Sequence, residues 1–484
     1  MPILDRNGWK RTFGVVIGAI SDRIDRGVES VTSSVSETFF EPVIRLGVTG
    51  LSRAGKTVFI TSLVANLLDR GRMPALQAAS SGRIQSVFLQ PQPDDTVARF
   101  DYENHLAALT GREPHWPEST RTVSELRLSM RVRPSGLLSG LSGLRTVHLD
   151  IVDYPGEWLL DLPLMGQSYE EWSATSLARA EARREGEAFI AALREIDGAA
   201  PLEEPQAQAL AARFSTYLRD AREAGYSDCT PGRFLLPGEL EGSPVLTFVP
   251  LPQGEARRGS LRREMARRFE AYKAQVVKPF FRDHFARIDR QVVLVDALGA
   301  IHSGPRAVED LRGAMVEILK AFRPGRNSFL TALMGRRVEK ILFAATKADH
   351  LHHTQHPRLT AIMEALLRDA RDRADYAGAT TEAMAIAALR ATVEETHEYG
   401  GRDLDLVRGR LLETGKEAAF HPGTLPEDPN HLLSPARAGE AKWLDEDYRV
   451  MRFAPARLSL KRGEGPPHIR LDRAAEFLLG DKLR

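Results

Sequence analysis

The chain has 484 residues, several times what one hydrophobic core requires, so one large core with substantial insertions, or two to three domains, is expected. Hydrophobic residues make up 43% and charged residues 27%, ordinary globular usage that excludes collagen-like, disulfide-framework and largely disordered proteins. Lys plus Arg (66) nearly cancels Asp plus Glu (65), and no strongly basic run stands out, so nucleic acid is not expected as a partner.

Residues 9–40 place Phe13, Ile17, Ile20, Ile24, Val28, Val31, Val35 and Phe39 at helical three-and-four spacing, which predicts an amphipathic helix within an N-terminal unit 1–42. Docking on the main domain or on a partner helix is the first reading, and peripheral contact with a membrane surface the second, weakened by how few lysines line the polar face. Residues 13–20 follow Lys10 and Arg11 as a signal peptide would, but Asp22, Arg23, Asp25 and Arg26 come next without a small-residue cleavage site. No apolar run reaches the roughly 18 residues a membrane-spanning helix needs. A cytoplasmic protein is expected, with the inner-membrane surface as the alternative location.

The apolar run 43–49 reads as a strand and 58–68 as a helix, and between them stands Gly50-Leu51-Ser52-Arg53-Ala54-Gly55-Lys56-Thr57, a G-x-x-x-x-G-K-[ST] loop in its required context. Glycines let backbone N–H groups turn inward around phosphates, so Gly50, Ser52, Arg53, Ala54, Gly55, Lys56, Thr57 and Val58 are the expected nucleotide-binding residues. Lys56 bridges phosphate oxygens, and the Thr57 hydroxyl is a ligand for Mg²⁺. Further on, residues 116–122 carry Thr120 and Thr122, either of which suits the second Mg²⁺ hydroxyl; Thr120 is taken as the metal ligand and catalytic candidate. Arg121 reads as a surface arginine ahead of an arginine finger.

Residues 124–132 alternate apolar and polar side chains, as a strand at a sheet edge with one solvated face does. The strand 147–152 ends in Asp153-Tyr154-Pro155-Gly156, a D-x-x-G signature in which Asp153 reaches Mg²⁺ through water and Gly156 senses a γ-phosphate. Glu157 follows where Ras-like enzymes carry a glutamine. A catalytic Glu157, beside Lys56, Thr57 and Thr120, and a solvent-exposed bystander are both open readings.

From 166 to 288 the pattern turns helical and charged, with strong stretches at 177–193 and 207–224 and a break at 198–201, which predicts a helical insertion. The single cysteine, Cys229, cannot form an internal disulfide and reads as a buried small side chain. Strands at 292–297, 341–346 and 384–389 then complete the sheet.

Thr346-Lys347-Ala348-Asp349 closes the second of these strands and resembles the guanine-reading N/T-K-x-D motif, whose Asp carboxylate accepts from guanine N1–H and the 2-amino group. Arg390 and Ala391 stand where the base-supporting loop belongs. His350, His352 and His353 read as an exposed polar loop in preference to a metal site. After residue 400 come a Pro- and Gly-rich stretch, a strand near 448–453 and a helix near 474–479.

The P-loop, the Trp116-Pro117-Glu118-Ser119-Thr120-Arg121 stretch, the run Asp153 to Trp158, Thr346 to Asp349 and the C-terminal Pro467 to Arg473 together resemble the YcjX-like family of bacterial P-loop proteins, from the N-terminal helix to Asp481. The resemblance implies an α/β fold: a Ras-like P-loop NTPase with a mostly parallel sheet flanked by helices, a large helical insertion and a C-terminal α+β extension. The expected division is a discontinuous core at 43–165 and 289–400, an insertion at 166–288, and an extension at 401–484 packing on the core. It also implies an envelope-stress role and an inner-membrane protein partner. The expected activity is a GTP-binding, GTP-hydrolysing switch with Mg²⁺ and GTP/GDP as its ligands; an ATPase and a membrane-associated scaffold with little turnover are the alternatives.

Overall fold

The computed structural model describes residues 41–50, 54–118, 122–135, 143–283, 285–320, 338–368, 379–439 and 448–484. The expected helix at 9–40 lies outside them, as do Ser52, Arg53, Thr120 and Arg121. Among the described residues no helix is long and apolar enough to cross a membrane.

Strand β1 (Val43–Gly50) leads through the glycine-rich loop into helix α1 (Lys56–Leu68). The strands that follow are β2 (Ile84–Gln90), the short β3 (Ala98–Arg99), β4 (Ser124–Val132) and β5 (Arg145–Asp153). Next come helices α2 (Tyr169–Ala182), α3 (Glu204–Glu223) and α4 (Leu261–Tyr272). The chain then re-enters the sheet through β6 (Arg290–Val295), α5 (Ala297–Ser303), β7 (Lys340–Ala345), α6 (His356–Leu366) and β8 (Thr380–Ala385). It closes with β9 (Thr392–Tyr399), β10 (Arg402–Arg410), β11 (Glu417–Phe420) and α7 (Leu471–Leu479).

The main sheet runs β2–β4–β5–β1–β6–β7–β8, with β3 also beside β4. From β5 to β8 neighbours are parallel; β4 is antiparallel to β5, and β2 to β4. The central strands read as apolar runs because both faces are covered. Along β6 the two-residue period divides them: Val292 and Leu294 pack with α1 and α7, while Val293 and Val295 join the insertion's core. That second cluster is continuous from the sheet to Trp172 of α2, which stacks on Phe269 of α4 with ring centroids 4.9 Å apart.

Four expectations about local structure are corrected. Strand β4 is not an edge: β2 flanks it, and of its polar residues Ser124, Glu125, Arg127 and Ser129 are buried or half-buried, leaving Arg131 exposed. Arg127 grips the fully buried Asp150 of β5 through two hydrogen bonds of 2.6 and 2.8 Å, and Ser129 bonds His148 and Gln90. Buried charges persist when paired in this way. Glu125, also buried, has its carboxyl pushed up to about 7, first by desolvation and then by the Asp150 charge.

The helix expected at 177–193 is two pieces. It begins earlier, at a capping box formed by Ser168 and Glu171, and ends at Ala182, where extended Arg183 turns its guanidinium inward to pair with Asp310. The last parallel strand ends at Ala385; the apolar residues after it are buried by the returning C-terminal segment, with Ala387 bridged to Ile469. Residues 448–453 form no strand, only an isolated bridge between Leu411 and Phe453. A three-stranded antiparallel sheet, β11–β10–β9, was not foreseen. Its β9–β10 hairpin turns on Gly400-Gly401, both at positive φ as a tight two-residue turn requires, so position 400 is a hairpin tip.

Candidate functional site

Strand β1 ends at Gly50 and α1 starts from Gly55, whose left-handed conformation (φ 80°) turns the chain into the helix without a side-chain cap. The first N–H groups of a helix have no partner within it, and the dipole makes that end electropositive. Lys56 folds back over the loop, its Nζ donating to the Gly50 carbonyl at 3.2 Å, and Thr57 is buried one residue later. Ala54, Gly55, Lys56, Thr57 and Val58 line a cleft of about 330 Å³, inside the roughly 300–1,000 Å³ span of small-molecule sites.

Strand β5 runs parallel to β1 with Asp153 beside Val48, so the buried Asp153 reaches the carboxyl end of the sheet level with the loop. Gly156 lies against Gly50: a Cβ on Gly156 would sit 1.9 Å from the Gly50 carbonyl oxygen. The two loops are therefore in backbone contact, and only glycine permits it.

Glu157 is buried, so the solvent-exposed reading is overturned. Its carboxylate pairs at 2.9 Å with Arg222 of α3. A second tie between this segment and the insertion is Asp161, which accepts from the Gly232 N–H at 2.7 Å and the Tyr272 hydroxyl at 2.5 Å. Burial pushes the Asp161 carboxyl up to about 7.

The opposite wall of the cleft comes from β7. Thr346 is anchored to β6 through its N–H on the Val295 carbonyl at 2.9 Å, Lys347 takes a left-handed conformation and pairs with Asp296, and Asp349 is buried. Asp349 accepts the Ala391 N–H at 2.8 Å, and its own carbonyl accepts the Thr392 hydroxyl. Ala391 thus acts on Asp349 from behind, whereas Ala387, Ala388 and Leu389 line the cleft. Arg390 turns away, its guanidinium donating to the Thr392 carbonyl and pairing with Glu394.

The structure brings Ala54 to Val58 together with Thr346, Lys347 and Asp349 in one cleft; Gly50, Asp153 and Gly156 do not line it, Gly156 lying against Gly50 and Asp153 beside Val48. Thr122, the alternative to Thr120, is exposed. The histidines are not an exposed loop: His350 is half-buried edge-on against Phe453, desolvation lowering its pKa, and His352 is buried; His353 is the exposed one of the three.

Residues that sequence reasoning missed include Asp296 and Arg222, which pair with Lys347 and Glu157, and Val450 to Phe453, which line the cleft along with Trp116 and Pro117. Trp116 is fixed there by donating its Nε1–H to the Phe453 carbonyl at 2.8 Å. Asp296, a carboxylate ending an apolar strand, carried a signal; Arg222 is one arginine among several on an amphipathic helix and carried none.

The sheet order, with the phosphate-type loop after β1, D-x-x-G after β5 and T-K-x-D after β7, defines a P-loop α/β protein of the Ras-like type. The chain belongs to the YcjX-like family, DUF463, whose model matches residues 44–483. It is 38% identical over 458 residues to the "Ras-like GTPase YcjX" of Escherichia coli K12, covering 91% of this chain and 96% of that protein. It is likewise 38% identical over 467 residues to the protein of the same name from Shewanella oneidensis, covering 91% and 94%.

Proposed function

We propose that this chain binds a guanine nucleotide in the cleft between α1 and β7 and hydrolyses GTP to GDP and phosphate. The observation that supports it best is the meeting of Lys56 and Thr57 with the buried Asp349 carboxylate in one cleft. One wall offers positive charge and helix-terminal N–H groups to phosphates. The other offers an acceptor-only carboxylate, which matches the donors of guanine and finds none at the same edge of adenine.

In this reading the Gly50 to Val58 loop, with Ser52 and Arg53, cradles the phosphates and Lys56 neutralises them. Water attacks the γ-phosphorus as the bond to the β-phosphate oxygen breaks. The Thr57 hydroxyl and Asp153 carboxylate are hard oxygen donors that fit Mg²⁺, with Thr120 as the further hydroxyl. Bound Mg²⁺ supplies charge stabilisation at the phosphate oxygens. Glu157 accepts a proton from the water or orients it, for which its carboxylate must exchange Arg222 for water.

That exchange makes the reading a switch: a γ-phosphate drawing on Gly156 and Glu157 competes with the insertion's hold through Arg222 and Gly232. The units proposed are the core at 43–165 and 289–400, the insertion at 166–288 and the extension beyond 400. Service in envelope stress beside an inner-membrane partner is part of the proposal on family resemblance alone.

The test is the affinity of nucleotide-free protein for labelled GDP and ADP with Mg²⁺, in wild type and Asp349→Ala. Tight GDP binding, weak ADP binding and loss of that preference in the variant are expected. Equal binding, or preference for ADP, would replace this reading with an ATPase and remove Asp349 from base recognition.

A further inference from the structure

We infer that His352, His353 and Glu394 form a binding site for a divalent transition-metal cation of the zinc class, separate from the phosphate site, which clips the turn after Asp349 to β9. One donor atom from each of the three lies within 4.8 Å of the others. His353 Nδ1 is 2.6 Å from Glu394 Oε2, and His352 Nε2 is 3.8 Å from the same oxygen. The first is a hydrogen bond that a bound cation would replace, and the second is too long for one. The second approaches the roughly 3.4 Å that separates two ligands held about 2.1 Å from one tetrahedral zinc.

The surroundings are those of a metal-bound imidazole. The other nitrogen of His352, Nδ1, is 3.1 Å from Asp405 Oδ2, so a proton on Nδ1 faces a carboxylate and the Nε2 lone pair is left pointing at the cluster. The Thr354 hydroxyl is also within reach of Nδ1, at 3.0 Å. Asp405 is in turn held by the hydroxyls of Thr354 and Thr396, at 3.0 and 3.2 Å. The β9–β10 register sets Asp405 opposite Thr396, on the same face of β9 as Glu394, so the fold presents both carboxylates to one side.

Donor type agrees. The carboxylates of Glu394 and Asp405 face the imidazoles, while Arg390 pairs with the other oxygen of Glu394 at 3.2 Å and Arg470 lies within electrostatic reach of it. Two imidazole nitrogens and one carboxylate favour zinc, nickel or copper over magnesium and calcium, and three protein ligands leave a position for water. The ligands join residues 352–353 to residue 394, so a bound cation braces the segment in which Asp349 contacts Ala391.

The experiment titrates untagged, chelator-stripped full-length protein with ZnCl₂ against a chromophoric chelator, in excess Mg²⁺. One zinc per chain is expected, with a rise in the thermal midpoint. Affinity should fall at least about tenfold, or roughly 1.4 kcal/mol, in both His353→Gln and Glu394→Gln. His353 is 64% exposed, so losing its bond to Glu394 should keep metal-free unfolding of the variant within about 1 kcal/mol of wild type, and it serves as the folded control. Cobalt in place of zinc should give visible d–d bands without thiolate charge transfer, since the sole cysteine is buried elsewhere. Absence of stoichiometric zinc in wild type would overturn the assignment. So would zinc that Mg²⁺ displaces, or zinc that both variants retain.

Discussion

Replacing Gly156 by alanine tests how the D-x-x-G loop is coupled to the phosphate loop. The new Cβ would lie 1.9 Å from the Gly50 oxygen and 2.4 Å from the Gly50 carbon, whereas real Cβ atoms essentially never approach closer than 3.0 Å. The separation must open by at least 3.0 − 1.9 = 1.1 Å. Gly50 cannot yield: it belongs to β1 and is paired to β6 at Leu294, whose carbonyl oxygen would lie 2.6 Å from a Cβ placed on Gly50. The 153–157 segment must withdraw instead. A misplacement of about 1 Å can cost on the order of 100-fold in rate, and overpacking of this kind costs roughly 1–3 kcal/mol of stability. Single-turnover GTP hydrolysis should fall by that order while GDP affinity stays near wild type, because Asp349 and the phosphate-loop lysine are untouched. A folded G156A protein hydrolysing GTP at the wild-type rate would refute the reasoning.

Arg222→Met strands the buried Glu157 carboxylate and should cost about 2 kcal/mol, the partial exposure of Arg222 keeping it below the roughly 3–5 kcal/mol of a fully buried pair. Glu157→Gln should cost less, and the double variant should regain most of the loss in denaturant unfolding; additive losses would mean the pair is not coupled. For Glu125, a carboxyl raised to about 7 in the fold keeps its proton where the unfolded chain has lost it, so stability falls as pH rises from about 4.5 through 7. Glu125→Gln should therefore stabilise the protein at pH 8, by up to about 3 kcal/mol, and flatten that slope, with Asp161 supplying what remains; an unchanged profile would remove Glu125 from the account. Mg-GDP at a hundred times its dissociation constant should add about 2.7 kcal/mol to the unfolding free energy. Lys56→Ala should remove that gain, and thermal shift with ADP should show none; equal shifts with both nucleotides would contradict the guanine reading.

The readable parts of this chain share a property: their signal is local. Parallel strands buried on both faces must be apolar runs, so β1, β5, β6 and β7 were visible to within a residue or two. The glycine-rich loop, D-x-x-G and T-K-x-D were visible because backbone curvature and fixed donor chemistry demand particular residues at particular spacings. The capping box at Ser168 and Glu171 and the Gly400-Gly401 turn were equally legible in principle, and were overlooked beside the longer patterns.

The polar strand β4 was misplaced because alternation reports that one face is polar, not whether water or another chain segment satisfies it. Here Asp150, His148 and Gln90 do. The end of β8 and the fate of residues 448–453 were likewise set by segments distant in sequence, which cover apolar residues outside the sheet.

Sequence alone determined the sheet's central strands, the three loops at its carboxyl edge and the order in which they occur, because covalent neighbours supply all the geometry those features need. Only the tertiary structure decided that Glu157 is buried against Arg222, 65 residues along the chain (222 − 157), and that Ala391 backs Asp349. The same holds for two adjacent histidines meeting a glutamate from β9. Each of these depends on how separate elements pack, and a pairing energy of a few kcal/mol leaves no periodic trace in either partner's own stretch of sequence.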